Sequence, residues 1–170
     1  KSTLEMCCER IWVWLSGGLQ MNKKISAFFL ISVVSMFASV AQSQNGISTY
    51  MNQNNMNDTF HKAAVLQKCS GLTLAYGAYL PVDMQEQKQL YGVYSQDLGV
   101  EAGVILMQRG QETASSVMEN VKESMIYYKD VYYEKIKKTQ RDTGSIFAGE
   151  VGSDLKLCGA IYQQIKKWKN

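Results

Sequence analysis

The 170-residue chain carries 18 Lys plus Arg against 15 Asp plus Glu, with one His and one Pro, for a formal charge of +3. Charges this evenly balanced exclude a strongly basic nucleic-acid binder, which would show a basic stripe interleaved with aromatics, and the length bounds the protein to one main domain. A single histidine removes any site built on two imidazoles and most metal and nucleophile schemes with it.

Met21 opens a complete bacterial-style export signal. Lys23 and Lys24 give a positive start, Ile25 to Phe37 an apolar run, and Ser39-Val40-Ala41 a small-residue cleavage site. The run of 13 residues is short of the roughly twenty that a membrane-spanning helix needs, so cleavage is expected rather than anchoring. Cleavage after Ala41 is preferred to cleavage after Ser43. Residues 1–20 are expected not to be translated, because such a signal has to stand at the start of the chain. Ser16-Gly17-Gly18 can be encoded by a stretch containing AGGAGG, a ribosome-binding site at a workable distance before the Met21 codon. The expected organisation is therefore 21–41 as signal peptide, 42–57 as a flexible Asn/Gln-rich leader that adds little to a core, and 58–170 as a helical domain, periplasmic or secreted, with no stable membrane insertion.

Cleavage after Ala41 leaves 14 Lys plus Arg against 13 Asp plus Glu, a balance that favours no partner by charge. Cys7 and Cys8 fall in the discarded segment. Cys69 and Cys158 remain, and in an oxidising compartment they are expected to form one disulfide.

Asp58, a good N-cap residue, starts the first predicted helix, which carries Val65, Cys69, Leu72, Tyr76 and Tyr79 on one stripe and ends at Pro81. The second runs from near Asp83 or Met84 to about Gln108, burying Met84, Tyr91, Tyr94, Leu98, Ala102 and Ile105. Gly92, Gly99 and Gly103 burden it, and a break near Gly99 is the alternative to a continuous helix. The third, from about Glu112 to Lys138, has the cleanest stripe, from Ala114 through Val117, Val121, Met125, Tyr128 and Tyr132 to Ile136. After a turn around Arg141, Asp142 and Gly144, the fourth carries Phe147, Val151, Leu155, Cys158, Tyr162 and Ile165 to Trp168. Short connections predict an all-α, up-down four-helix bundle with the disulfide joining first and last helices. Cys69 stands 11 residues after Asp58 and Cys158 stands 10 before Trp168, which puts both about 15 Å from the same end.

Few residues suggest chemistry. His61 reads as a surface or satisfied residue. Cys-x-x-Cys-His and Glu-x-x-His are both absent from the sequence, so neither covalent haem nor a bundle-type di-iron site is expected, and no cofactor or metal is predicted. Glu101 falls close to the core face of the second helix. With Gly99 and Gly103 it forms a candidate pocket, in which a half-buried carboxylate would orient a ligand. Tyr127, Tyr128, Tyr132 and Tyr133 crowd two turns of the third helix. Tyr128 and Tyr132 should face inward, leaving Tyr127 and Tyr133 as the candidate partner surface. Lys135, Lys137 and Lys138 are expected to close the third helix, and Lys166, Lys167 and Lys169 the fourth, as cations suited to the helix dipole.

No motif selects a family. The expected function is that of an exported, non-enzymatic helical protein that binds another macromolecule, either a protein or an envelope component. The alternative is a carrier or sensor of a small apolar ligand held inside the bundle.

Overall fold

The computed structural model describes residues 45–110 and 113–169. Residues 1–20, the signal with both cleavage positions, Cys7, Cys8 and the expected helix start at Glu112 lie outside the described residues. Among the described residues there are five helices and no strand: α1 (Ile47–Gln53), α2 (Thr59–Tyr79), α3 (Gln85–Met107), α4 (Ala114–Thr143) and α5 (Gly149–Lys169). The protein is all-helical, as expected, but with a fifth helix in the segment read as a flexible leader.

Helix α1 is short and lacks a capping side chain of its own. Its N-terminal donors are satisfied from α5: Asp154 accepts from the Ile47 amide at 2.9 Å and from the Ser48 amide at 3.4 Å. Ile47 and Tyr50 of α1 join the main core, so this segment adds to the core that it was expected to leave alone.

Helix α2 begins as the sequence predicts, with the Asp58 carboxylate accepting from the Phe60 amide at 2.7 Å, and it stops before Pro81. It is the central element and packs against all four other helices. Ser70, Gly71, Thr73, Ala75 and Gly77 are buried beside the expected Val65, Cys69, Leu72 and Tyr76. Small residues let its neighbours come close. A β-carbon at Gly71 would fall onto the Tyr128 Cβ and within 2.8 Å of the Lys129 backbone nitrogen of α4.

Helix α3 is continuous through Gly99. Gly99 and Gly103 face α4, where Met125 and Met118 fill the space: a β-carbon at Gly99 or Gly103 would lie 2.5 Å from the Met125 or Met118 sulfur. Helix α4 is capped by Thr113, which accepts from the Ser116 amide, and it ends at Gly144, left-handed at φ 74°. It therefore outruns its expected end, and of the basic side chains only Arg141 lies in the last turn. Lys135 and Lys137 instead pair with Glu150 and Glu134 at 3.2 and 3.1 Å. Phe147, expected on the stripe of the last helix, precedes α5 and is 53 % exposed.

The Cys69–Cys158 disulfide is present, with the two Cα atoms 5.3 Å apart, tying α2 to α5. Among the described residues no helix is long and apolar enough to cross a membrane.

Candidate functional site

The most unusual chemistry lies under α1. Lys68 is 1 % exposed, with its ammonium 5.1 Å from the centre of the Tyr50 ring and 4.8 Å from that of Tyr128. It also donates to the Asn45 carbonyl at 3.4 Å. Burial, helped by the like charge of Lys135, lowers its pKa to about 8, while Asp154 and Glu150 act in the opposite sense. Burial likewise raises the pKa of Asp154, against the lowering effect of the Ile47 and Ser48 amides. Tyr132 donates to Asp154 at 3.3 Å. An amine of lowered pKa can serve as a base or nucleophile, but α1 covers this one and leaves a substrate no approach. The cluster instead fastens α1 to the core. His61 belongs to the same neighbourhood, with its Nδ1 2.9 Å from the Tyr50 hydroxyl, so it is satisfied within the fold.

An open cleft of about 710 Å³ lies where the turns after α2 and α4 approach each other. Pro81 lacks an amide hydrogen and stops α2, and Gly144 turns the chain after α4. Tyr79, Met84, Tyr133 and Phe147 then line one concave surface, with Gln140 and Lys137 as its polar members. Tyr79 and Tyr133 meet edge to face at 5.4 Å. The Lys137 ammonium stands 5.8 Å from the centre of the Tyr133 ring, and the Tyr79 hydroxyl donates to the Gln140 side chain. Phe147 stacks on buried Tyr76 at 5.5 Å, whose hydroxyl donates to the Ile146 carbonyl at 2.6 Å. The cleft wall is thus anchored to the core.

The two candidate surface tyrosines part company. Tyr133 lines this cleft, whereas Tyr127 is 47 % exposed and packs on Tyr128 at 5.2 Å. Six residues along a helix rotate the side chain by about 240°, so one face cannot present both. The pocket candidates separate as well. Glu101 lines a smaller apolar cleft of about 230 Å³, while Gly99 and Gly103 turn toward Met125 and Met118. Sequence reasoning missed Lys68, Asp154 and the exposure of Phe147. A charged residue inside an otherwise apolar helix face was the available signal for Lys68 and Asp154. The turn glycines Gly144 and Gly149 were the signal for Phe147.

Among the described residues no group of three or more His, Cys, Asp or Glu is placed to hold a metal ion. Comparison with known protein families, curated proteins and solved structures finds no match to this chain. The aromatic cleft therefore has to be understood from its own chemistry.

Proposed function

We propose that this is an exported, non-enzymatic helical protein that binds another macromolecule through the cleft between Tyr79, Tyr133 and Phe147. The observation that carries this reading is the open aromatic concavity itself, in whose lining Met84 is 37 % and Phe147 53 % exposed. A contiguous exposed apolar surface with aromatic anchors and a polar rim is the usual anatomy of an interaction site. Tyr79 and Tyr133 offer rigid contact area with hydroxyls at the edge. The partner is a periplasmic or envelope protein that inserts an apolar segment. This reading takes α2 to α5 as an up-down bundle, favoured by their short connections, with α1 added across it. Export is supported by the signal that begins at Met21 and by a disulfide of the kind formed in oxidising compartments.

A photo-crosslinking residue placed at Phe147 and, separately, at exposed Val100 tests the binding surface in the native host. A discrete adduct is expected from Phe147, lost when Tyr133→Ala is added, with none from Val100. Equal adducts from both positions, or none from Phe147, would reject the cleft as the surface. Intact mass of the exported product tests the location, with cleavage after Ala41 or Ser43 and the loss of two hydrogens expected.

A further inference from the structure

Asn45 and Gly46 form the only Asn-Gly pair in the sequence, and they stand directly before α1. Such a pair is chemically labile, because glycine has no β-carbon to shield its amide nitrogen and its backbone turns freely. The Gly46 nitrogen can bond to the Asn45 Cγ while the Cγ–Nδ2 bond breaks and ammonia leaves with the amide proton. Water then opens the cyclic imide. Cleavage at Cγ gives aspartate, and cleavage at the former Asn45 carbonyl gives isoaspartate, in which the main chain runs through Cβ and Cγ and the α-carboxylate is free.

The docked α1 holds both reactants away from this step. The Asn45 carbonyl accepts from buried Lys68 at 3.4 Å, and the Asn45 carboxamide nitrogen donates to Gln53 at 3.3 Å. Gly46 is buried under the Glu150 side chain, which a β-carbon there would strike, and its carbonyl accepts from the Tyr50 amide at 2.9 Å. One residue on, Asp154 holds the Ile47 and Ser48 amides. Ring closure requires the carboxamide to swing back over the Gly46 nitrogen and the peptide between them to rotate, which these bonds oppose. A helix of seven residues without a capping side chain of its own does not persist in water by itself. Once its contacts to α2 and α5 part, Asn45 and Gly46 turn freely.

We propose that Asn45–Gly46 is a self-modification site gated by α1: undocking of the helix permits deamidation, and the product holds the helix less firmly. The added carboxylate joins Glu150 and Asp154 at one helix start, where Lys135 and Lys68 already offset those two. In isoaspartate the lengthened main chain also displaces the carbonyl that Lys68 holds. The modification thus turns transient opening into lasting exposure of the surface beneath Ile47 and Tyr50. It is independent of macromolecular binding at the Tyr133 cleft.

The test ages the purified, disulfide-bonded protein at neutral pH. Peptide mass spectrometry follows the replacement of the Asn45 NH2 by OH, and chromatography separates aspartate from isoaspartate. The same protein, reduced and unfolded in urea, gives the ungated rate. The native rate is expected to be at least about tenfold lower, since it follows the population of the open form. Asp154→Ala should raise the native rate about tenfold, and Asp154→Asn, which keeps one acceptor oxygen, should raise it less. Leu98→Ala lowers stability in α3, outside the elements that hold α1, and should leave the rate unchanged. Far-ultraviolet circular dichroism confirms that the variants stay folded during ageing. The separated isoaspartate form should be cut before Asp58 by protease faster than the unmodified protein. A native rate equal to the unfolded one, or an Asp154→Ala rate equal to that of the unaltered protein, overturns the gating. Equal cutting of modified and unmodified protein overturns the loosening of α1.

Discussion

Asp154 does for α1 what a capping side chain ordinarily does from within the same helix, but from a distance of 107 residues. Removing it leaves two amides of a buried helix start without their acceptor, and an unmet buried donor costs about 1–3 kcal/mol. Asp154→Ala should therefore lower stability by about 2–3 kcal/mol and make the segment before Asp58 the first to be cut by protease. Urea denaturation and limited proteolysis read the two effects. Lys68 supplies a distinct pH signature. Its folded pKa of about 8 lies below the ordinary 10.5, so between those values the unfolded chain holds a proton that the folded chain has lost. Stability then rises with pH across that window. Burial pushes Tyr128 and Tyr162 up to about 12 from the ordinary 10.0, so above pH 10 the unfolded chain loses protons first and stability falls. A maximum near pH 10 is expected in urea melts taken from pH 7 to 11. Lys68→Met, which leaves Tyr50, Tyr128, Tyr132, Lys135, Glu150 and Asp154 in place, should erase the rising limb and keep the falling one.

Glycines at the helix contacts act through space rather than through backbone freedom. Gly71 has no room for a methyl group because α4 lies against it, backbone included. Gly92 has nothing within 4 Å of where its β-carbon would be. Gly71→Ala is thus expected to destabilise by about 1–3 kcal/mol through overpacking. Gly92→Ala should instead stabilise by about 0.5–1 kcal/mol through helix propensity. Thermal melts of the two variants should move in opposite directions. The methionines opposite Gly99 and Gly103 show a third outcome, in which flexible side chains occupy the space that the glycines leave. Small residues in α2 and α3 thereby set how closely α4 can approach, and the same closeness brings Tyr128 over Lys68.

Across the whole molecule, the bond between Cys69 and Cys158 closes a separation of 89 residues. On the chain-entropy estimate such a closure stabilises by about 4–5 kcal/mol. The double variant Cys69→Ala, Cys158→Ala should lose about that much in urea denaturation, and reduction of the native protein should have a similar effect. A loss under about 1 kcal/mol would mean that helix packing alone holds α5 in place. The two clefts draw on different parts of this frame: the aromatic one on the turns after α2 and α4, the apolar one on the side where α1, α2, α3 and α5 converge.

The sequence by itself determined the four long helices and their punctuation. Asp58, Pro81 and Gly144 act within a few residues of themselves, and apolar periodicity marks which face of each helix turns inward. It also determined the pairing of Cys69 with Cys158, since the position of each along its helix follows from residue count. Tertiary structure alone decided the rest. Helix α1 lies in a stretch rich in Asn and Gln, with Ile47 and Tyr50 as its buried side chains, and its first two amides take their acceptor from a carboxylate of α5. The burial of Lys68 depends on rings from α1 and α4, and the separation of Glu101 from Gly99 and Gly103 depends on which neighbour faces each side of α3. Local signals end within a turn or two of the residue that carries them, whereas these features arise where segments distant in the chain meet.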